Sequence, residues 1–167
     1  MSERDDNQEI ERKFLLQANS WRAMARDRSA IRQGYLNLDP ERTVRVRLRD
    51  ERAVLTIKGR GEGLVRPEFE YAIPRAEAEA MLETLCMGEP VEKTRYLVDV
   101  GEHLWEIDVF EGANAGLVLA EVELSTADEH VTLPSWVGEE VSGDERYYNS
   151  QLAQCPFGQW EQAAPQE

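Results

Sequence analysis

Between Gln8 and Leu124 apolar and polar residues alternate again and again in short runs rich in Val, Ile, Tyr and Phe. A period of two sends successive side chains to opposite faces of an extended chain, so these runs predict strands. Eight are expected, at residues 9–16, 31–38, 43–50, 52–58, 64–73, 91–100, 103–110 and 117–124. Turn-forming residues at Asp39-Pro40, Asp50-Glu51, Gly59 to Gly63 and Gly101-Glu102 link most of them closely, which predicts antiparallel hairpins. Three helices are expected to interrupt the meander. The first runs over 21–27 with Ser20 as cap, and the second over 75–86 with Pro74 at its first position. The third runs over 146–155, opened by the capping-box spacing of Ser142 and Glu145 and stopped by Pro156.

Length and composition narrow the picture. A chain of 167 residues with 41% hydrophobic residues suits one domain over 1–167, with a core over about 8–155 and a flexible tail over 156–167. The fold class expected is mainly β with flanking helices (α+β). Thirty-three acidic against nineteen basic residues give a net charge of -14, whose field repels nucleic acid and anionic membranes at long range. The two cysteines, Cys86 and Cys155, lie far apart and match no zinc spacing, so neither a disulfide framework nor a structural metal is expected. No run of residues has the length and apolarity of a membrane span, and the polar start lacks the core of a signal peptide. A cytoplasmic protein is expected.

The charges themselves are patterned. Glu9, Glu11 and Lys13 share one face of their strand, as do Arg47 and Arg49, Glu68 and Glu70, Lys93 and Arg95, Glu106 and Asp108, and Glu121 and Glu123; Lys58 belongs with them. The opposite faces carry apolar residues such as Ile10 and Phe14, Val46 and Leu48, Ile107 and Val109, Val122 and Leu124. A single Glu-x-Glu is ordinary on a solvated sheet face. Same-sign pairs on strand after strand are not, because like charges ~7 Å apart are unfavourable without neutralising partners. Acidic and basic strands facing each other inside a closed barrel would supply those partners, leaving carboxylates for hard cations and Lys and Arg for phosphate oxygens.

With these residues in place the chain resembles a known family. Glu9-Ile10-Glu11-Arg12-Lys13-Phe14 is similar to the N-terminal ExExK signature of the CYTH domain, or triphosphate tunnel metalloenzyme, family. The similarity continues through Gln33-Gly34-Tyr35-Leu36, Arg47-Leu48-Arg49, Leu55 to Lys58, Arg66 to Glu70, Val91 to Tyr96, Glu106-Ile107-Asp108 and Glu121-Val122-Glu123. The resemblance implies a closed eight-stranded antiparallel barrel forming a tunnel, in which basic residues bind a triphosphate and acidic residues bind Mg²⁺ or Mn²⁺. The implied phosphate contacts are Lys13, Arg47, Arg49, Lys58, Lys93 and Arg95. The implied metal ligands are Glu9, Glu11, Asp108, Glu121 and Glu123, and Lys13 with the four glutamates is the expected catalytic set. Glu68, Glu70, Glu106 and Arg45 are expected in support. Arg45 departs from the pattern as a third arginine on its face, and Arg146-Tyr147-Tyr148-Asn149 has tyrosine where a basic residue is expected.

The expected activity is metal-dependent hydrolysis of inorganic triphosphate or a small organic triphosphate. Class IV-like adenylate cyclase, thiamine triphosphatase and a binding module without turnover stay as alternatives. Other features read as structural. Gly59-Arg60-Gly61-Glu62-Gly63 lacks the Gly-Lys-Ser/Thr ending of a phosphate loop and joins two strands, and neither His103 nor His130 has a nucleophile motif nearby. The substrate, the preferred metal and the oligomeric state are open at this level. Bound divalent cations would reverse the charge of the slightly acidic interior, so an acidic protein can admit a small polyanion.

Overall fold

The computed structural model describes residues 7–160. Its strands are β1 (Gln8–Leu16), β2 (Asp27–Asn37), β3 (Arg42–Arg49), β4 (Arg52–Gly59), β5 (Val65–Ala72), β6 (Met87–Val100), β7 (His103–Glu111), β8 (Val118–Glu123) and β9 (Val137–Glu140). The helices are α1 (Trp21–Met24), α2 (Arg75–Thr84) and α3 (Asn149–Gln154). Neighbours run in the order β5-β4-β3-β2-β6-β7-β8-β1-β9, and an added β1–β5 pairing closes the first eight strands into an antiparallel barrel. β1 makes the closure by dividing one edge. Gln8 to Ile10 pair with β5, while Phe14 and Leu16 pair with β9.

The eight expected strands are present, and β9 is an addition that its four residues, Val-Gly-Glu-Glu, did not announce by alternation. The helices differ more. α1 stops at Met24 because Ala25 is already extended and β2 begins at Asp27; the Ser20 side chain caps nothing. Pro74 sits before α2 in extended backbone, not inside it. At the expected third helix the chain makes a 3-10 turn over Glu145–Tyr147, capped by the Asp144 carboxylate, before α3 begins at Asn149. Ser142 does not cap that helix, since its hydroxyl accepts the Lys13 N–H at 3.0 Å beyond the end of β9. Of the segment 156–167 expected as a tail, Pro156 is buried, the Phe157 N–H donates to Asn114 Oδ1 at 2.9 Å and Trp160 meets Tyr147 edge to face; residues 161–167 lie outside the described residues.

The barrel is built inside out. Its outer faces carry two apolar clusters: Ile10, Phe14, Val98, Trp105, Ile107 and Val122 are covered by Trp21 of α1 and by Val131, Trp136 and Val137, while Val46, Leu48 and Ala53 are covered by Ala78 and Leu82 of α2. Gly34 marks how closely α2 lies on the barrel: a Cβ there would meet Cys86 Sγ at 2.5 Å and Leu82 at 3.0 Å. A third cluster differs in kind, because Tyr35, Val91, Phe110 and Leu119 share the strand face of the charged residues. They fill one end of the bore together with Tyr147, Leu152 and Ala153 of the C-terminal segment. No helix among the described residues is long and apolar enough to cross a membrane.

Leu152 is fully buried in this end cluster. Leu152→Ala is expected to lower unfolding stability by about 3 kcal/mol, the usual cost of a Leu-sized cavity, measured by chemical denaturation.

Candidate active site

The charged positions of successive strands face one cavity inside the barrel. It is lined by Glu9, Glu11 and Lys13 of β1, Arg45 and Arg47 of β3, Lys58 of β4, Lys93 and Arg95 of β6, and Glu121 of β8. Sheet register decides which of these charges meet. Lys13 stands opposite Glu121, Glu11 opposite Glu123, Lys58 opposite Glu68 and Arg95 opposite Asp108. The Lys58 ammonium lies 2.7 Å from Glu9 and 3.4 Å from Glu68. Arg95 holds both oxygens of Asp108, at 2.8 and 2.9 Å, and reaches Glu106 at 3.0 Å. Lys93 Nζ sits 2.7 Å from the same Asp108 carboxylate, which is 1% exposed.

Burial drives each group toward its neutral form, and the neighbours decide the outcome. Burial alone would raise Glu9, yet the Lys58 charge and hydrogen bond, helped by Arg45 and Arg66, bring it down to about 2. Asp108 likewise overcomes its desolvation through Arg95 and Lys93 and is held well below the usual carboxylate range. Glu11 goes the other way: burial, then the Glu121 and Glu9 carboxylates, push it well above that range. Its carboxyl makes no hydrogen bond or ion pair with any described residue. Burial, reinforced by Arg95 and Arg47 and opposed by Asp108, lowers Lys93 to about 7. Arg47 is lowered to about 9 by burial and by Arg45 and Arg95, and so remains charged at neutral pH.

Other expected residues stand further back. Arg49 does not line the cavity; its guanidinium donates to Ser29 Oγ at 2.9 Å. Asp108, Glu106, Glu68 and Glu70 sit behind the cations they contact, and Glu123 is exposed at the end of β8. Arg45 does line the cavity, donating to Thr56 Oγ1 at 3.1 Å, while its Nε has no partner among the described residues. Among the described residues no three carboxylate, His or Cys side chains already form a metal cluster. The glycine loop after β4 closes a hairpin through Glu62 and Val65, and His103 pairs with Glu129 away from the cavity.

Several residues in or just behind the lining were given no role in the site by the sequence reading. Lys93 Nζ donates to Asn149 Oδ1 at 2.9 Å, Gln33 Nε2 donates to the same oxygen at 2.8 Å, and Arg47 Nε donates to Gln33 Oε1 at 2.8 Å. Lys13 Nζ donates to the Tyr147 carbonyl at 3.2 Å and lies 5.4 Å from the centre of the Tyr148 ring. Strand alternation could have found Gln33, since it shares a face with Ser29 and Tyr35. No local signal marks Tyr148 or Asn149, which reach the bore only because the C-terminal segment folds back into it.

Fold and site together define a class, the closed antiparallel barrel with a buried ionic bore. The chain belongs to the CYTH domain family, which it matches over residues 7–149. It is 42% identical over 149 residues to the inorganic triphosphatase of Acetivibrio thermocellus, covering 89% of this chain and 95% of that protein. The inorganic triphosphatase of Nitrosomonas europaea is 39% identical over 153 residues, with 87% and 96% covered. The crystal structure of an inorganic triphosphatase superposes with a TM-score of 0.61 at 35% identity, covering 87% of this chain and 93% of that one.

Asp108→Asn removes the one carboxylate of Lys93 and leaves Arg95 only Glu106, and is expected to destabilise the protein by about 3 kcal/mol at pH 7. The folded value of Asp108 is depressed, so its contribution is complete above about pH 4 and is lost as pH falls further. Denaturation curves of the two proteins should therefore converge on acidification.

Proposed function

We propose that this protein hydrolyses inorganic triphosphate with the aid of a divalent cation, Mg²⁺ or Mn²⁺. The observation that carries the reading is the single cavity lined by Lys13, Arg45, Arg47, Lys58, Lys93 and Arg95 together with Glu9, Glu11 and Glu121. Two relatives named inorganic triphosphatase, at 42% and 39% identity, support it. Cys86 and Cys155 are both free thiols, which supports a reducing, cytoplasmic setting.

Phosphoryl transfer asks little covalent chemistry of a protein and much positioning and charge stabilisation. The cationic rows from β3, β4 and β6 supply both, gripping phosphate oxygens from several sides of the bore. Arg47 makes no ion pair with a described residue, so its terminal N–H groups are available without breaking one. Lys58, Lys93 and Arg95 would relax their carboxylate contacts as the anion arrives, those carboxylates keeping the empty site from collapsing. Lys13 bridges the two halves of the site: it touches Glu121 at 3.5 Å and faces the same cavity as the arginines.

The donor set fits a hard cation. Glu11 is a half-buried carboxyl on which Glu121 and Glu9 press more strongly than Lys58 and Lys13 relieve it, and Glu9, Glu121 and Glu123 stand on the same strands. These four would hold the ion, whereas both Asp108 oxygens already serve Arg95 and Lys93. When bound, such an ion screens phosphate charge and lowers the pKa of a coordinated water.

Phosphate release from inorganic triphosphate is expected with Mg²⁺ or Mn²⁺, to vanish with chelator, and to fall at least ~100-fold in Arg47→Ala. Cyclic AMP formed from ATP would move the assignment to a cyclase, and thiamine triphosphate as the preferred substrate would move it to that activity. Mn²⁺ affinity, measured by calorimetry, is expected to rise with pH because binding displaces protons from the raised Glu11 carboxyl. In Glu11→Gln the affinity should be lower and its pH slope shallower.

A further inference from the structure

Every cation in the bore needs something to hold it still, and most are held by carboxylates. Lys58 has Glu9 and Glu68, Arg95 has Asp108 and Glu106, and Lys13 has Glu121. Arg47 is different. Its one side-chain hydrogen bond among the described residues runs from Nε to the neutral amide of Gln33, which is fully buried. Gln33 in turn donates to Asn149, and Asn149 accepts a second bond from Lys93.

We propose that Gln33 and Asn149 are positioning residues, forming a two-amide chain that aims Arg47 into the cavity without cancelling the charge the substrate must meet and that steadies Lys93 beside its Asp108 partner. The proposal rests on the reading of the bore as a triphosphate site.

The direction of the chain is dictated from both ends. Lysine and arginine can only donate, so Asn149 must turn its oxygen to Lys93 and Gln33 must turn its oxygen to Arg47. The group Gln33 then presents to Asn149 is its NH₂, which the same Asn149 oxygen accepts. One arrangement satisfies all three bonds, and reversing either amide would bring two donors together. The chain also links elements far apart in sequence: Gln33 lies on β2 directly opposite Arg47 on β3, whereas Asn149 opens α3. α3 therefore does more than fill the end of the barrel with Leu152 and Ala153. Its first residue reaches into the cavity lining and fixes two cations from different strands. A carboxylate at either position would hold the cations as firmly but would compete with phosphate for them, which gives a neutral amide its value here.

Gln33→Glu and Asn149→Asp change almost no volume and separate holding from neutrality. In the full-length chain, each is expected to raise KM for inorganic triphosphate about tenfold or more while kcat changes less, because the new carboxylate must be displaced by substrate. The melting temperature should stay level or rise in Asn149→Asp, whose carboxylate still accepts from Gln33 and from Lys93; in Gln33→Glu the gained pairing with Arg47 is offset by the lost donation to Asn149, and the melting temperature should change little. Gln33→Leu and Asn149→Leu should each lose activity, and the double variant should lose no more than about the worse single one, as both break one chain. KM within about twofold of wild type in both isosteric variants would overturn the proposal. So would losses that simply follow a falling melting temperature, or fully additive leucine variants. If the wild-type chain releases no phosphate from triphosphate, the hydrolase reading falls by itself. The chain is then tested by equilibrium binding of inorganic triphosphate, expected to be about tenfold weaker in both isosteric variants, with unchanged binding overturning it. A wild-type chain that neither hydrolyses nor binds triphosphate overturns both.

Discussion

The structure depends on keeping a set of buried charges balanced in the place where other proteins put their hydrophobic core. Taking one ammonium or carboxylate out of water costs several kcal/mol, and mutual attraction repays it only with close geometry and further hydrogen bonds. The Arg95–Asp108–Lys93 cluster meets that condition: a fork of two bonds from the guanidinium, an ammonium at 2.7 Å and almost complete burial. Antiparallel register supplies the rest by setting Lys58 against Glu68 and Lys13 against Glu121. A slip of one residue in any of these pairings would turn a row of charges outward and bring apolar side chains into the bore.

A bore filled with ions contributes little hydrophobic free energy, so that has to come from elsewhere. It comes from the outside of the barrel, where Trp21, Trp105, Trp136, Phe14 and Ile107 pack in one cluster and α2 covers Val46 and Leu48 in another. The short helices and the segment leading to β9 act as a second layer whose task is to cover what the barrel turns outward. At the end of the bore the two arrangements meet. The apolar cluster of Tyr35, Val91, Phe110 and Leu152 packs there, and Asn149 stands beside it among the cations. Within the bore the charges are held in unequal ways. The Glu11 carboxyl has no hydrogen-bond or ion-pair partner among the described residues and is pushed toward its neutral form, and Arg47 makes no ion pair there, so the site retains an acidic and a cationic member that the protein leaves unsatisfied. These are the groups with most to gain from a ligand.

The fold was largely legible because a two-residue period is a local property. Alternation located eight strands, assigned their charged and apolar faces, and showed that like charges recurred too often for a solvated surface. Helix boundaries were less legible. Ser142 and Glu145 have the spacing of a capping box, but the Ser142 hydroxyl is taken by the Lys13 N–H that β9 leaves unpaired, a competition between segments 129 residues apart. Arg49 has the same parity as Arg45 and Arg47 and reads as their equal. Position along the strand separates them: Arg49 is the last residue of β3 and its guanidinium donates to Ser29, whereas Arg45 lies further back along the strand and lines the cavity.

By itself the sequence determined which residue types line the bore and which face outward, because side-chain direction along a strand depends on nothing beyond the strand. It could not determine which charges neutralise one another, or which stay open for a ligand. Those follow from register, from the closing of β1 onto β5, and from the return of the C-terminal segment that places Asn149 beside Lys93 and Gln33. The reason is one of range: alternation is fixed within a few residues, whereas the state of a buried charge is fixed by whatever lies within a few ångströms, and in a closed barrel that neighbour is supplied by a distant part of the chain.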